Sequence, residues 1–562
     1  MPGTRPRPAA HRGSPAAALR ALEACRDAHG ADAVRRKLAA LAVLATARLR
    51  SADEMRRLHE ALCFLRAYPG DARVLAAVER LLARFARRAD LRAHRAALAH
   101  EGIAGTAGWY PFFWPTARWL VRRWPRQLRF DRSDAEAGAS LARALPLLVT
   151  PAEAAALREL KMPGYAAIDR LRARGETDAA FLVRRIESLA GDDFTREAFY
   201  DAINPSCELL PAAGTPARTH EKFGPAPVIF RGQPLRRGRP DLRAEMQRPP
   251  RSVRRLDADD GARLLDLARS AMVGRNRDLD AFAYGNAGDC WLVDDDDGLA
   301  FGLVGMTPER RAPLAAIYGG LTLSNGVPVG YLQVDVVGRA AALSFNTFET
   351  FRGGEAAWNF ARLLASLRHL FGVEAFSIEP YQLGEHNDEG IASGAWWFYF
   401  KFGFRPRASA ARKRAATELA RMKRRPARRS SPQVLRQLAA HPLFFDFDPR
   451  RRTPLPPLAA LGLRVARLLA ERGADRDGAQ AAIERDAARA LGLRTLQALE
   501  PAARRAFAHF APLVVLAGAA RWPLLQRRAL LAIVRAKAAD SEFDYIGRLA
   551  AHRPLCRALL RQ

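Results

Sequence analysis

The turn FETFRGGEAAW, residues 348–358, runs from a strand-like segment into a helix, and the chemistry it offers is anion binding. The first amides of a helix lack carbonyl partners and carry its positive end, so a glycine-opened helix start attracts phosphate. Glu355 suits a helix N-terminus on its own, but its charge would repel a phosphate lying close by. A second stretch, GWYPFFWPTARWLVRRWPRQLRF at 108–130, interleaves four tryptophans with arginines. That pattern stacks on nucleic-acid bases or sits at a membrane interface, although such aromatics more often pack a loop onto its domain. The third, RPRASAARKRAATELARMKRRPARR at 405–429, holds eleven lysines and arginines with Glu418 as its single acid. It reads either as a solvated linker or helix, or as a contact for a phosphate backbone or an anionic lipid.

Other reactive residue types reduce to structure. The DDDD at 294–297 reads as the solvated tip of a hairpin before it reads as a calcium site. His386 stands beside Asn387, Asp388 and Glu389, and adjacent residues cannot all converge on one metal. Cys290, before a tryptophan-bearing strand, reads as a buried thiol. The five cysteines lie far apart with no CxxC pair, and no HExxH occurs, so no metal site is expected and a reducing compartment fits.

The elements that must hold these residues fall into regions. Residues 1–15, rich in Pro, Arg and Gly, are expected to form a disordered tail. Residues 16–200 read as an α-helical domain. Within it SADEMRRLHEALCFLRAYPGD opens on a capping-box pattern, Ser51 and Glu54, and repeats apolar residues at helical spacing (Met55, Leu58, Leu62, Leu65). It stops at Pro69-Gly70. Residues 201–250 read as a Pro/Gly-rich linker. Strand patterns are confined to 251–407: a pair around the acidic run, a hairpin turning at Asn325-Gly326, AALSFNTFETF, and VEAFSIEPYQL. The aromatic helix SGAWWFYFKFGFRPR (393–407) ends the region, and no further strand is identified before the basic run. Residues 408–432 read as a basic linker or helix, and 433–562 as a C-terminal α-helical domain. The predicted fold class is multidomain, an α+β domain flanked by N- and C-terminal α-helical domains.

The net charge of +31 is carried almost wholly by arginine, since the 562 residues include only seven lysines. A GC-rich genome inflates arginine and alanine without any functional cause; the competing reading is an electrostatic footprint for nucleic acid, phosphorylated ligands or an acidic surface. The basic N-terminus is not followed by an apolar signal segment, and APLVVLAGAA at 511–520 is too short to span a bilayer. A cytoplasmic protein with no membrane span is expected.

Residues 251–407 resemble the GNAT acetyltransferase superfamily. In that family the last core helix ends in Tyr-x-x-x-Gly-Phe with a small residue one turn before the tyrosine, and Ala395, Tyr399, Gly403 and Phe404 stand at that spacing. The family's strand-to-helix turn is matched by Arg352, Gly353, Gly354 and Ala357; Glu355 stands where the family has its second glycine, and Ala392 where it often has an asparagine. The resemblance implies an acyltransferase that moves an acyl group, acetyl in the first instance, from a CoA thioester to an amine on an unknown acceptor, with no metal. It implies that Arg352, Gly353, Gly354 and Ala357 hold the donor's pyrophosphate and that Ala395 leaves room for the thioester arm. Strand amides after Phe345 would pair with that arm, and Tyr399 would protonate the departing thiolate. Glu349 and Glu379 are the carboxylates placed to take the ammonium proton. The alternative is a non-catalytic GNAT-like scaffold whose helical and basic segments, 405–429 above all, bind nucleic acid or a protein partner.

Overall fold

The computed structural model describes residues 14–224, 227–455 and 458–560, so nearly all of the expected tail 1–15 lies outside the described residues. Ser14 already caps the first helix, α1 (Pro15–Cys25), by accepting from Ala17 N. In α2 (Ala52–Ala67) Ser51 accepts from Glu54 N at 3.2 Å, and Glu54 reaches back to Arg50 N at 2.8 Å, so the expected capping residues do cap. Met55, Leu58, Leu62 and Leu65 of α2 are all buried in the first core, and the helix ends just before Pro69 as the spacing predicts.

Residues 16–200 are not a single helical unit. A second core forms around α3 (Trp114–Arg123) and the helices that follow, and it includes a small antiparallel sheet. The middle strand of that sheet, Cys207–Leu209, comes from the segment read as a linker and pairs with Gly108–Tyr110 and Leu128–Phe130. Phe112, Trp114, Trp119 and Phe130 are buried there, which is why aromatics crowd 108–130.

Asp278 ties this unit to the main sheet by accepting from Phe113 N (3.1 Å) and Thr116 Oγ1 (3.1 Å). Burial pushes its carboxyl up to about 7, against the pull of those hydrogen bonds. A raised folded-state value adds stability that is complete below the unfolded value near 4 and is lost as pH rises through 7. Asp278→Asn should therefore gain stability relative to the parent between pH 4 and 8, read as a growing difference in urea midpoints. A difference that stays flat with pH would contradict the burial of this charge.

The main sheet has nine strands. β1 (Ser252–Arg255) leads into α4 (Ala258–Val273), followed by the meander β2 (Gly285–Asp294), β3 (Leu299–Met306), β4 (Ala316–Ser324), β5 (Val327–Val337) and β6 (Ala340–Thr347). The helix α5 (Ala356–Phe371) then crosses to β7 (Ala375–Ile378). After β7 come α6 (Ala395–Lys401), β8 (Arg405–Pro406), α7 (Ser409–Arg424) and β9 (Leu443–Asp446). The order across the sheet is β8-β9-β7-β6-β5-β4-β3-β2-β1. All neighbours are antiparallel except β6 and β7, whose parallel pairing requires a crossover, and α5 supplies it.

The sheet does not stop at 407. β9 returns after the basic helix and inserts between β7 and β8, so this part of the molecule takes in residues beyond the expected boundary. One face packs on α4, through Leu264, Leu292, Val304 and Leu321. The other packs on α5 and the C-terminal helices, among them α8 (Pro501–Leu516) and α9 (Leu524–Lys537). Asp289 of β2 fastens the C-terminal helices by accepting from Ser541 Oγ (2.6 Å) and Glu542 N (3.0 Å). Among the described residues no helix is long and apolar enough to cross a membrane.

The acidic run at 294–297 is not a solvated tip. Asp295 is buried and bonds Arg362 of α5 at 2.8 Å, Asp296 bonds Arg248 at 2.8 Å and Asp297 bonds Arg236 at 2.6 Å. It clamps the strap 227–250 and the middle of α5 onto the hairpin.

Candidate functional site

β6 and β7 pair only through Ala340–Ala342 and Ala375–Ser377, yet β6 runs on to Thr347 against β5. Past Ala342 the two strands part, and the β7-facing backbone of β6 is left at a fork. The Phe345 carbonyl there accepts from Gln382 Nε2 at 2.8 Å and from the Tyr399 hydroxyl at 3.4 Å, and Gln382 Nε2 lies 3.3 Å from the same hydroxyl. Tyr399 is 2% exposed and edge-on to Phe360, so its position is fixed by packing. Burial raises its phenol above the ordinary range, partly opposed by Gln382. The aromatics of α6 pack on the core, as the crowding at 393–407 implies.

Just beyond the fork, the C-terminal end of β6 opens into a cavity of about 410 Å³ shared with the N-terminal helices. Arg352 and Arg277 both hold Glu389, at 2.6 and 2.9 Å. Burial would raise that carboxyl, but the two arginines outweigh it and hold it below its usual range. Arg218 bonds Glu60 of α2 at 2.6 Å, and Thr350 bonds the same carboxylate. Arg26, at the end of α1, lies over the Phe64 ring and pairs with no carboxylate among the described residues. Its guanidinium stands 3.4 Å from where a Cβ on Gly353 would be. Glu349 is exposed at the rim and has no ion pair among the described residues.

Glu355 behaves differently from the expectation. Its carboxylate is buried, bonds Arg231 at 2.6 Å and accepts from Arg236 N at 2.9 Å. A neutralised, inward-turned carboxylate does not oppose an anion at the turn. α5 begins at Ala356 with no side chain capping its amides, and Ala357 is half-buried at its second position.

A polar strip links the cavity to the sheet. Tyr331 OH accepts from Arg277 (3.2 Å) and Asn346 (3.3 Å), and Gln333 and Asp335 follow it at every second position of β5, on one face. Gln333 donates to Asp335 at 3.1 Å. Burial raises the Asp335 carboxyl, and the charge of Glu379 adds to that. Asp335 lies in register with Ala342 and, through it, with Ser377, which donates to Glu379 at 3.2 Å.

The structure thus brings Tyr399 to the fork, Arg352 and Glu349 to the cavity, and Glu379 beside Asp335. Gly353, Gly354, Ala357, Ala395 and Tyr399 do not line the cavity. Gly354 sits under Tyr68 of the N-terminal helices, whose hydroxyl would be 2.8 Å from an added Cβ. Asp335, Gln382 and Arg26 escape the sequence reading. For Asp335 a signal exists in YLQVDVV, where polar residues alternate within an otherwise apolar strand. Arg26 has none, since over three hundred residues separate it from the turn it approaches.

Among the described residues no cluster of His, Cys, Asp and Glu could hold a metal ion. No family model, curated protein or solved structure matches this chain.

Proposed function

We propose that the part of the chain built on the nine-stranded sheet is a GNAT-like N-acyltransferase that moves an acyl group, acetyl in the first instance, from a CoA thioester to an amine on an unknown acceptor. The observation that carries this reading is the Tyr399 hydroxyl on the Phe345 carbonyl, at the fork between the two parallel strands. Ligands of mixed sheets favour the point where strands part at their C-terminal ends. The amine nitrogen attacks the thioester carbonyl carbon, the C–N bond forms and the C–S bond breaks. Asp335, Glu379 or Glu349 takes the ammonium proton, and Tyr399 supplies one to the leaving thiolate. The donor's phosphates would lie between Arg26, Arg352 and the uncapped start of α5.

Gly353→Glu tests the phosphate side. An added Cβ there meets only the mobile end of Arg26, whereas at Gly354 it would strike Tyr68 and disturb packing. Gly353→Glu should keep its melting temperature and lose CoA affinity by about tenfold or more, because a carboxylate replaces the open approach to the turn. Unchanged affinity would remove the phosphates from this turn.

The scaffold reading has one observation of its own. Arg412, Lys413, Arg414, Lys423 and Arg424 of α7 have no ion pair among the described residues, and all five are exposed. If α7 binds nucleic acid, affinity should fall steeply with salt, and Lys/Arg→Gln changes there should flatten the slope by about one unit per contact.

A further inference from the structure

A second cavity, about 840 Å³, lies at the opposite end of the sheet from the fork, and no residue named for acyl transfer lines it. Three parts of the chain wall it. The second N-terminal core supplies α3 and the helix Asp193–Ile203, the sheet supplies the start of β2 and the turn after β3, and the C-terminal helices supply α8 and the end of α9. Nine arginine and lysine side chains line it against three carboxylates, Asp192, Asp193 and Glu309.

All but one of these cations are ion-paired, Arg118 with Asp193 at 3.5 Å, Arg310 with Glu197, Arg505 with Glu309 and Lys537 with Glu542 among them. Arg122 bonds Glu187 at 2.7 Å and Arg123 bonds Asp266 at 2.6 Å. Arg269 is different: its guanidinium donates to the carbonyls of Phe282 and Ala283, both at 3.0 Å, and pairs with no carboxylate among the described residues. Its charge is therefore left to the cavity. Flat apolar surface stands beside it. Arg310 lies between the rings of Phe194 and Tyr284, 3.8 and 3.7 Å from their centroids, and Phe194 is 49% exposed.

Positive charge beside one exposed ring, in a volume suited to one small ligand, is the chemistry that recognises a phosphate joined to a planar base. We infer that this cavity binds a nucleotide, its phosphate toward Arg269 and its base against Phe194. A free nucleotide and the terminal nucleotide of a strand present the same groups.

The test uses the full chain with adenosine monophosphate, followed by calorimetry, and with a phosphorylated oligoadenylate in parallel. Saturable binding of the monophosphate is expected. Arg122→Glu with Arg505→Glu, both at largely exposed side chains, should weaken it about tenfold or more, while Gly353→Glu leaves it unchanged. Photolabelling of the wild-type protein with an azido derivative of the same nucleotide should mark peptides from α3, the helix Asp193–Ile203 or α8. A much tighter oligonucleotide would identify the strand end as the source, and equal affinities the free nucleotide. No saturable binding of either probe at millimolar concentration, or label confined to other peptides, would overturn the inference. So would affinity unaltered in the folded double variant.

Discussion

Tyr399→Phe is expected to lower acyl-transfer turnover about 100-fold while leaving CoA affinity within about twofold, the size associated with loss of a positioned proton donor. The split follows from the geometry. The hydroxyl donates one long bond to the Phe345 carbonyl and accepts one from Gln382 Nε2 at 3.3 Å, while Gln382 Nε2 holds that carbonyl more closely, at 2.8 Å. Phenylalanine keeps the ring against Phe360 and leaves the carbonyl bonded, so folding should suffer by only about 1 kcal/mol. Turnover measured at saturating donor and acceptor reads the effect. A variant with full turnover would show that Tyr399 is an ordinary buried aromatic and that protons reach the thiolate by another route.

Arg362→Met carries the largest expected cost in stability, about 3–5 kcal/mol, the range for stripping one partner from a buried ion pair. Arg362 is 0% exposed in the middle of α5. It bonds Asp295 at 2.8 Å, Glu245 at 3.3 Å and the carbonyls of Glu245, Arg248 and Pro249. Methionine fills similar space but leaves the Asp295 carboxylate buried and unpaired. Burial already raises that carboxyl, with Arg362 opposing the rise. Without the arginine it should protonate more readily, so the penalty should shrink as pH falls, and Asp295→Asn in the same chain should restore part of the loss. Chemical denaturation of the three proteins at two pH values decides it. A penalty below about 1 kcal/mol would mean that the strap 227–250 is not held by this cluster.

How far the sequence could be read depended on whether the signal was local. Ser51 and Glu54 announce α2 because a cap is made by residues three apart. Asn325 and Gly326 announce the β4–β5 hairpin because both must take positive φ, and they do, at 49° and 79°. The aromatic face of α6 was legible for the same reason, since burial follows helical spacing. What failed was non-local. β9 was missed because its partners β7 and β8 precede it, with a basic helix between, and four residues of LFFD carry little pattern alone. The acidic run looked like a surface turn because its partner Arg362 sits mid-helix, where nothing nearby marks it as buried. Glu355 looked hostile to phosphate until Arg231 of the strap met it. At the site, Tyr399 and the turn were legible as types and spacings. Arg26, Arg218 and Asp335 became visible only once the chain had brought the N-terminal helices to the end of β6.

The most direct measurement is a calorimetric titration of the nuclease-treated 562-residue chain with acetyl-CoA and with free CoA. A saturable isotherm with a micromolar Kd for both, weakened in Gly353→Glu, is the result expected of a working donor site at the fork. No heat and no thermal shift at millimolar CoA would contradict it, and the sheet region would then be a scaffold around a closed fork.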